Sequence, residues 1–138
     1  MTLSLTIPGP PRGKGRPRFS RQGHAFTDAK TRGHERNIVA LFVQKYPDHV
    51  PLEGPIEVDL IATFAIPKSA SKAKAREMRG QRIMPTKRPD VDNIAKLCDA
   101  LNGIAWRDDA QIVFLTVLKQ YNDHPRMEIK FRPLGEEP

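Results

Sequence analysis

The sequence predicts a small α+β domain, with a mixed sheet and two main helices in β-α-β-α-β-β order, and three observations carry that expectation. Residues 3–7, 57–64 and 127–131 alternate apolar and polar with the period of a half-buried strand. Two stretches, at about 28–46 and 89–102, carry helix start and stop signals. The chain has 138 residues, enough to bury one core, so a single domain over 1–138 is expected.

Taken in order, Leu3, Leu5 and Ile7 form a first strand stopped by Pro8-Gly9-Pro10-Pro11. Gly13 and Gly15 are expected to leave the following stretch mobile, and Gly23 to occupy a hairpin tip. Thr27 or Asp28 can cap a helix running to about Tyr46, with Ile38, Leu41, Phe42 and Lys45 on one side and Pro47 as its end. In Glu57–Phe64, Val58, Leu60, Ala62 and Phe64 should face the core. Residues 66–88 come next as an expected mobile basic loop. Ser69–Arg82 has a helical composition but no apolar stripe, so this segment should order on a ligand. Pro89-Asp90-Val91-Asp92 starts the second helix, and Asn102-Gly103 stops it with a left-handed residue. The nearly continuous apolar run Ile112–Val117 fits a central strand, and after a turn at Asn122-Asp123 the last strand carries Met127, Ile129 and Phe131.

Composition narrows the function. Lys and Arg total 23 against 16 acids, a net charge of +7. The excess is clustered: Arg12, Lys14, Arg16, Arg18 and Arg21 lie in one stretch. Lys68, Lys72, Lys74, Arg76, Arg79, Arg82, Lys87 and Arg88 lie in another, with Glu77 its one acid. Either stretch alone could be a solvated loop; two around one core read as an electrostatic footprint for phosphates. One cysteine, Cys98, excludes an internal disulfide and a cysteine-built zinc site, and a reducing cytoplasm is the expected compartment. No apolar run reaches the ~18–20 residues of a membrane span and no signal-peptide pattern opens the chain, so no membrane partner is expected.

The acidic residues supply candidate chemistry. Asp90 and Asp92 stand one residue apart at a helix start, and Asp108-Asp109 lie in the turn before the apolar strand. Carboxylates from separate segments suit a hard cation such as Mg²⁺, which prefers oxygen ligands and keeps waters and phosphate in its shell. The competing reading is structural, since Asp caps helix N-termini and is common in turns. Lys96, four residues after Asp92, could offset charge building on a phosphate, or form a surface ion pair with Asp92. The histidines lack ligand spacing; Cys98 and Asp99 read as structural, and Trp106 as a packing anchor. No nucleotide- or dinucleotide-binding fingerprint is present, so no small-molecule cofactor is expected.

Together, Arg88-Pro-Asp-Val-Asp-Asn-Ile-Ala-Lys96, Asp99-Ala-Leu-Asn-Gly103 and Trp106-Arg-Asp-Asp-Ala-Gln-Ile112 resemble the RusA family of Holliday-junction resolvases, common in phages and prophages. Ile7-Pro-Gly-Pro-Pro11 and Gly15-Arg-Pro-Arg-Phe19 resemble its phage-type members, so the likeness spans nearly the whole chain. The resemblance implies a Mg²⁺-dependent endodeoxyribonuclease, with Mn²⁺ as the alternative dication, acting as a homodimer on four-way DNA junctions in recombination and repair. It places the metal-binding aspartates at Asp90, Asp92 and Asp109 and the catalytic lysine at Lys96. One departure stands out: two residues separate Lys96 from Asp99, where the family places three. On an ideal α-helix a lost residue rotates all later positions by ~100°. Two other readings stay open, a non-catalytic basic DNA-binding module and a metal-dependent nuclease acting on flaps, single strands or RNA.

Overall fold

The computed structural model of the chain describes residues 1–13, 18–26 and 29–136. Four strands, β1 (Leu3–Pro8), β4 (Ile56–Ala65), β5 (Ile112–Asn122) and β6 (Arg126–Pro133), form one mixed sheet in the order β1-β6-β4-β5. β6 is antiparallel to both β1 and β4, whereas β5 runs parallel to β4. A two-stranded hairpin, β2 (Arg18–Phe19) with β3 (Ala25–Phe26), stands apart, with Gly23 at positive φ in its turn.

The predicted alternation holds. Leu3, Leu5 and Ile7, then Val58, Leu60, Ala62 and Phe64, then Met127, Ile129 and Phe131 are buried on one sheet face. Helix α1 (Ala29–Lys45) covers that face through Ile38 and Phe42. It is anchored at its end by Lys45 Nζ donating to Ser4 O at 2.7 Å and by Tyr46 Oη bonded to the same strand. The expected cap at Thr27 or Asp28 lies outside the described residues, as do Lys14, Gly15 and Arg16. The opposite sheet face is polar: Arg132 bridges Glu57 and Asp59, each at 3.2 Å. Apolar residues bury one face while charges stay paired on the other, the usual outcome for a sheet covered on one side.

Three expectations need correction. The segment 66–88 is not an irregular loop, because it contains helix α2 (Lys72–Arg79). Ser71 caps it, its hydroxyl accepting from Lys74 N at 3.1 Å, and the single buried side chain Met78 replaces the missing apolar stripe. Second, the helix after Pro89 is α-helical only over α3 (Val91–Ala95) and continues as a 3-10 helix over Lys96–Leu101, with Gly103 at positive φ beyond it. Third, β5 is an edge strand and not a central one. β6 returns past β4 to lie between β4 and β1, so β5 keeps a single neighbour and Val113–Thr116 stay exposed.

A candidate phosphodiester-cleavage site

The Asp108-Asp109 turn is the most heavily braced part of the surface. A short 3-10 turn, Asp109–Gln111, begins there. Gln111 acts as a clamp: its Oε1 accepts from Asp108 N at 2.7 Å, while its Nε2 donates to Leu52 O at 2.8 Å and Gly54 O at 2.9 Å. Asn102 Oδ1 accepts from Asp109 N at 3.0 Å. Trp106 is fully buried, edge-on to Phe131, and its indole N–H donates to Asp109 Oδ1 at 2.7 Å. Trp106 is thus the expected packing anchor and also a hydrogen-bond donor, a second role that spacing alone did not reveal.

Asp109 lines a cleft of about 410 Å³ with Lys96, Cys98, Asp99 and the first residues of β5, Ile112–Leu115. Partial burial raises its pKa, the Trp106 hydrogen bond opposes that rise, and contact with the Asp99 carboxyl adds to it. Cys98, buried beneath, has its thiol pushed up to about 12 by burial, with Asp109 and Asp99 contributing. It is a core thiol, as expected, and not a nucleophile at neutral pH.

Sequence reasoning missed the place of Asp99. Its carboxyl group is hydrogen-bonded to that of Asp109. The 3-10 winding explains why. At three residues per turn, Lys96 and Asp99 fall one above the other, on one face of the helix. The tighter turn offsets most of the rotation that a missing residue would otherwise cause. Only the helix type could have shown this, and α3 gives way to 3-10 at Lys96 itself.

Asp90 and Asp92 are placed differently. Both are exposed in the first turn of α3, and neither lines the cleft. Asp90 occupies the N-cap position, yet its side chain makes no capping hydrogen bond, so the bland role of a cap is not the one it plays. Lys96 reaches Asn93 Oδ1 at 3.4 Å, and among the described residues it forms no ion pair with Asp92. No group of three or more His, Cys, Asp or Glu side chains among the described residues closes into a metal cluster. The donor chemistry nevertheless suits a hard dication. All the candidates are carboxylates, and burial beside the Asp99 carboxyl raises the pKa of Asp109, a penalty on its charge that a cation would relieve.

The basic segments sit at different places around this domain, the first against α3 at Gly13 and the second at the far end of β5 through Arg79. Gly13 packs so tightly on α3 that an added Cβ would lie 2.7 Å from Asn93 Cβ and 3.0 Å from Pro89 Cβ. Gly13 therefore permits a close approach to the Asp90–Asn93 turn, while the residues directly after it, expected to be mobile, lie outside the described residues. Arg12, Arg21, Lys68, Lys72, Lys74, Arg76 and Arg88 are exposed. Arg79 is committed to a fork on Asp123, 2.9–3.1 Å, which fastens α2 to the end of β5, and Arg82 pairs with Glu77 at 3.6 Å. Lys87 lies over the Phe64 and Tyr121 rings. Arg18 lies in β2, and Lys14 and Arg16 are outside the described residues. No helix among the described residues is long and apolar enough to cross a membrane.

Comparison with known proteins adds an independent line. A family model described as endodeoxyribonuclease RusA matches residues 8–132. An uncharacterized protein of Bacillus subtilis (strain 168), YqaN, is 35% identical over 139 residues, covering 96% of this chain and 97% of its own.

Proposed function

Because this chain belongs to the RusA family of endodeoxyribonucleases, we propose that it is a Mg²⁺-dependent, structure-selective endonuclease that resolves Holliday junctions by paired nicks, as a homodimer. The observation that carries the reading is the cleft where Lys96, Asp99 and the braced Asp109 meet, in a chain whose basic segments are exposed. Asp90, Asp92 and Asp109 would hold the dication, which when bound acidifies a water and polarises the phosphate. Trp106 and Asn102 keep the Asp109 carboxylate aimed into the cleft. Lys96 Nζ, held only by a long contact to Asn93, is available to a phosphoryl oxygen and offsets the charge gained in the transition state. The exposed residues Arg12, Arg21, Lys68, Lys72, Lys74, Arg76 and Arg88 neutralise backbone phosphates without reading sequence. Arg18, Lys14, Arg16 and Lys87 belong to the same two segments and complete the binding set, whereas Arg79 and Arg82 act after exchanging their carboxylate partners for phosphate. The basic segment around α2 meets the duplex arms as a formed helix, its exposed lysines and arginines settling on phosphates.

A synthetic mobile four-way junction, incubated with Mg²⁺ or with chelator, tests this reading. Symmetric nicks on opposing strands, absent with chelator and absent from linear duplex, are expected. Binding without cleavage in any divalent metal would instead mark a DNA-binding module. Equal cleavage of flaps, single strands or RNA would move the substrate away from junctions.

A further inference from the structure

Resting on the dimer reading, we propose that the free edge of β5 is the surface through which two copies associate, by antiparallel pairing of β5 with itself about Thr116. β5 is hydrogen-bonded to β4 on one side only. An open edge presents a row of unpaired N–H and C=O groups, which proteins ordinarily blunt with charge, proline or a bulge. This edge has a bulge at Val113, opposite the Ile56–Glu57 step, but from Phe114 to Leu118 it carries neither charge nor proline. Val113 is 57% exposed, Phe114 55%, Leu115 41% and Leu118 44%. Lys119 is the single charge between Ile112 and Asn122. The far end of the strand is already occupied, since Gln81 Nε2 donates to Tyr121 O at 3.4 Å and Arg79 holds Asp123. The open stretch is therefore the first two thirds, with Thr116 near its middle.

An occupant of this edge must offer extended backbone and apolar side chains on both faces, which a second copy does. About Thr116, Phe114 meets the partner's Leu118 on the polar face of the sheet, and Leu115 meets the partner's Val117 on the helix-covered face. Each pair is apolar on apolar, the arrangement that stabilises adjacent strands. Charge selects the direction. Asp108 and Asp109 precede the strand, while Lys119 and the neighbouring Lys87 lie towards its other end. Antiparallel apposition turns acidic end toward basic end, whereas parallel apposition would set like against like.

Such pairing joins two four-stranded sheets into one and leaves both helical layers on the same side. Each cleft, whose rim is Ile112–Leu115, then opens beside the partner's strand. At ~3.4 Å per residue the two copies of Ile112 lie about 27 Å apart. That separation suits two nicks in one junction.

The test uses the full chain at micromolar concentration, read by light scattering and by cross-linking. The wild type should have the mass of two chains, and the double variant Phe114→Lys/Leu118→Lys the mass of one, with an unchanged circular dichroism spectrum because both positions are exposed. Thr116→Cys should form a disulfide-linked dimer on mild oxidation, since self-paired residues lie ~4.5–5.5 Å apart. Val113→Cys, whose copies would be about 20 Å apart, should not link. Should the lysine variant fail to fold, the two cysteine variants still decide. A two-chain mass with no Thr116→Cys link would place the interface elsewhere and leave the dimer standing. A one-chain mass for the wild type, with or without junction DNA, would remove the dimer and this interface together.

Discussion

The Asp108-Asp109 turn is held from three directions, by Trp106, Asn102 and Gln111, whereas Asp90 and Asp92 stand in solvent at the start of α3 with no capping bond. Both are acidic pairs at the start of a short helical segment, and the chain treats them in opposite ways. One carboxylate is aimed and partly desolvated before any ligand arrives; the other pair is left unspent. The difference teaches how a site can be half pre-organised. On the proposed reading the braced side fixes geometry, and the exposed side would close when cation and phosphate offset the repulsion of gathered carboxylates.

The largest expected effect treats the two arms alike. Asp90→Asn, Asp92→Asn and Asp109→Asn should each lower junction cleavage by about a thousandfold or more, because each would delete a proposed metal ligand from a step that depends on it. Junction affinity should hold or improve, since a negative charge facing phosphate is lost; single-turnover cleavage and gel retardation measure the two separately. Wild-type cleavage by Asp90→Asn would leave the braced arm as the whole site.

A smaller effect should fall on one arm alone. Trp106→Phe keeps the ring packed on Phe131 but removes the N–H that holds Asp109 Oδ1. Loss of such a supporting hydrogen bond typically costs about 10–100-fold in metal affinity or activity. Titration with Mn²⁺, followed calorimetrically, should show weakened binding, beyond the fall in melting temperature that the smaller buried ring brings. A fall in stability with unaltered metal affinity would make the indole merely structural.

The smallest effect probes the braced arm by pH. Burial and Asp99 raise the Asp109 pKa in the folded chain, so its protonated form is the one the fold favours. That contribution to stability is complete below the ordinary carboxylate range and is lost as pH rises through the raised value. In chelator, Asp109→Asn should therefore flatten the decline of melting temperature above about pH 4. A wild-type profile in Asp109→Asn would remove the desolvation of this arm.

Much of this was legible because burial imposes a period. β1, β4, β6 and α1 announce themselves through side chains that must reach one core, and the left-handed residue at Gly103 ends its helix as its type predicts. The apolar run of β5 was ambiguous for a physical reason, since a strand covered on both sides by its own chain and one awaiting cover look the same in sequence. α2 was obscured because a single residue, Met78, supplies its contact with the core. At the site, the acidic pairs and Lys96 could be named, but not the proximity of Asp99 to Asp109, which depends on a helix type that composition does not encode. Gly13 read as a hinge because a glycine needed for close approach and one needed for freedom are the same letter.

The 3-10 stretch Lys96–Leu101 bears on length as well as angle. Its six residues, at ~2.0 Å each, advance the chain about 12 Å, against about 10.5 Å for seven residues of α-helix. Stretching the screw makes up for the missing thread, so the turn at Asn102-Gly103 starts close to where a longer α-helix would have delivered it. A helix one residue shorter can thus be accommodated by a change of pitch over two turns. On the proposed reading, chains with either spacing would present lysine and aspartate to the same phosphate.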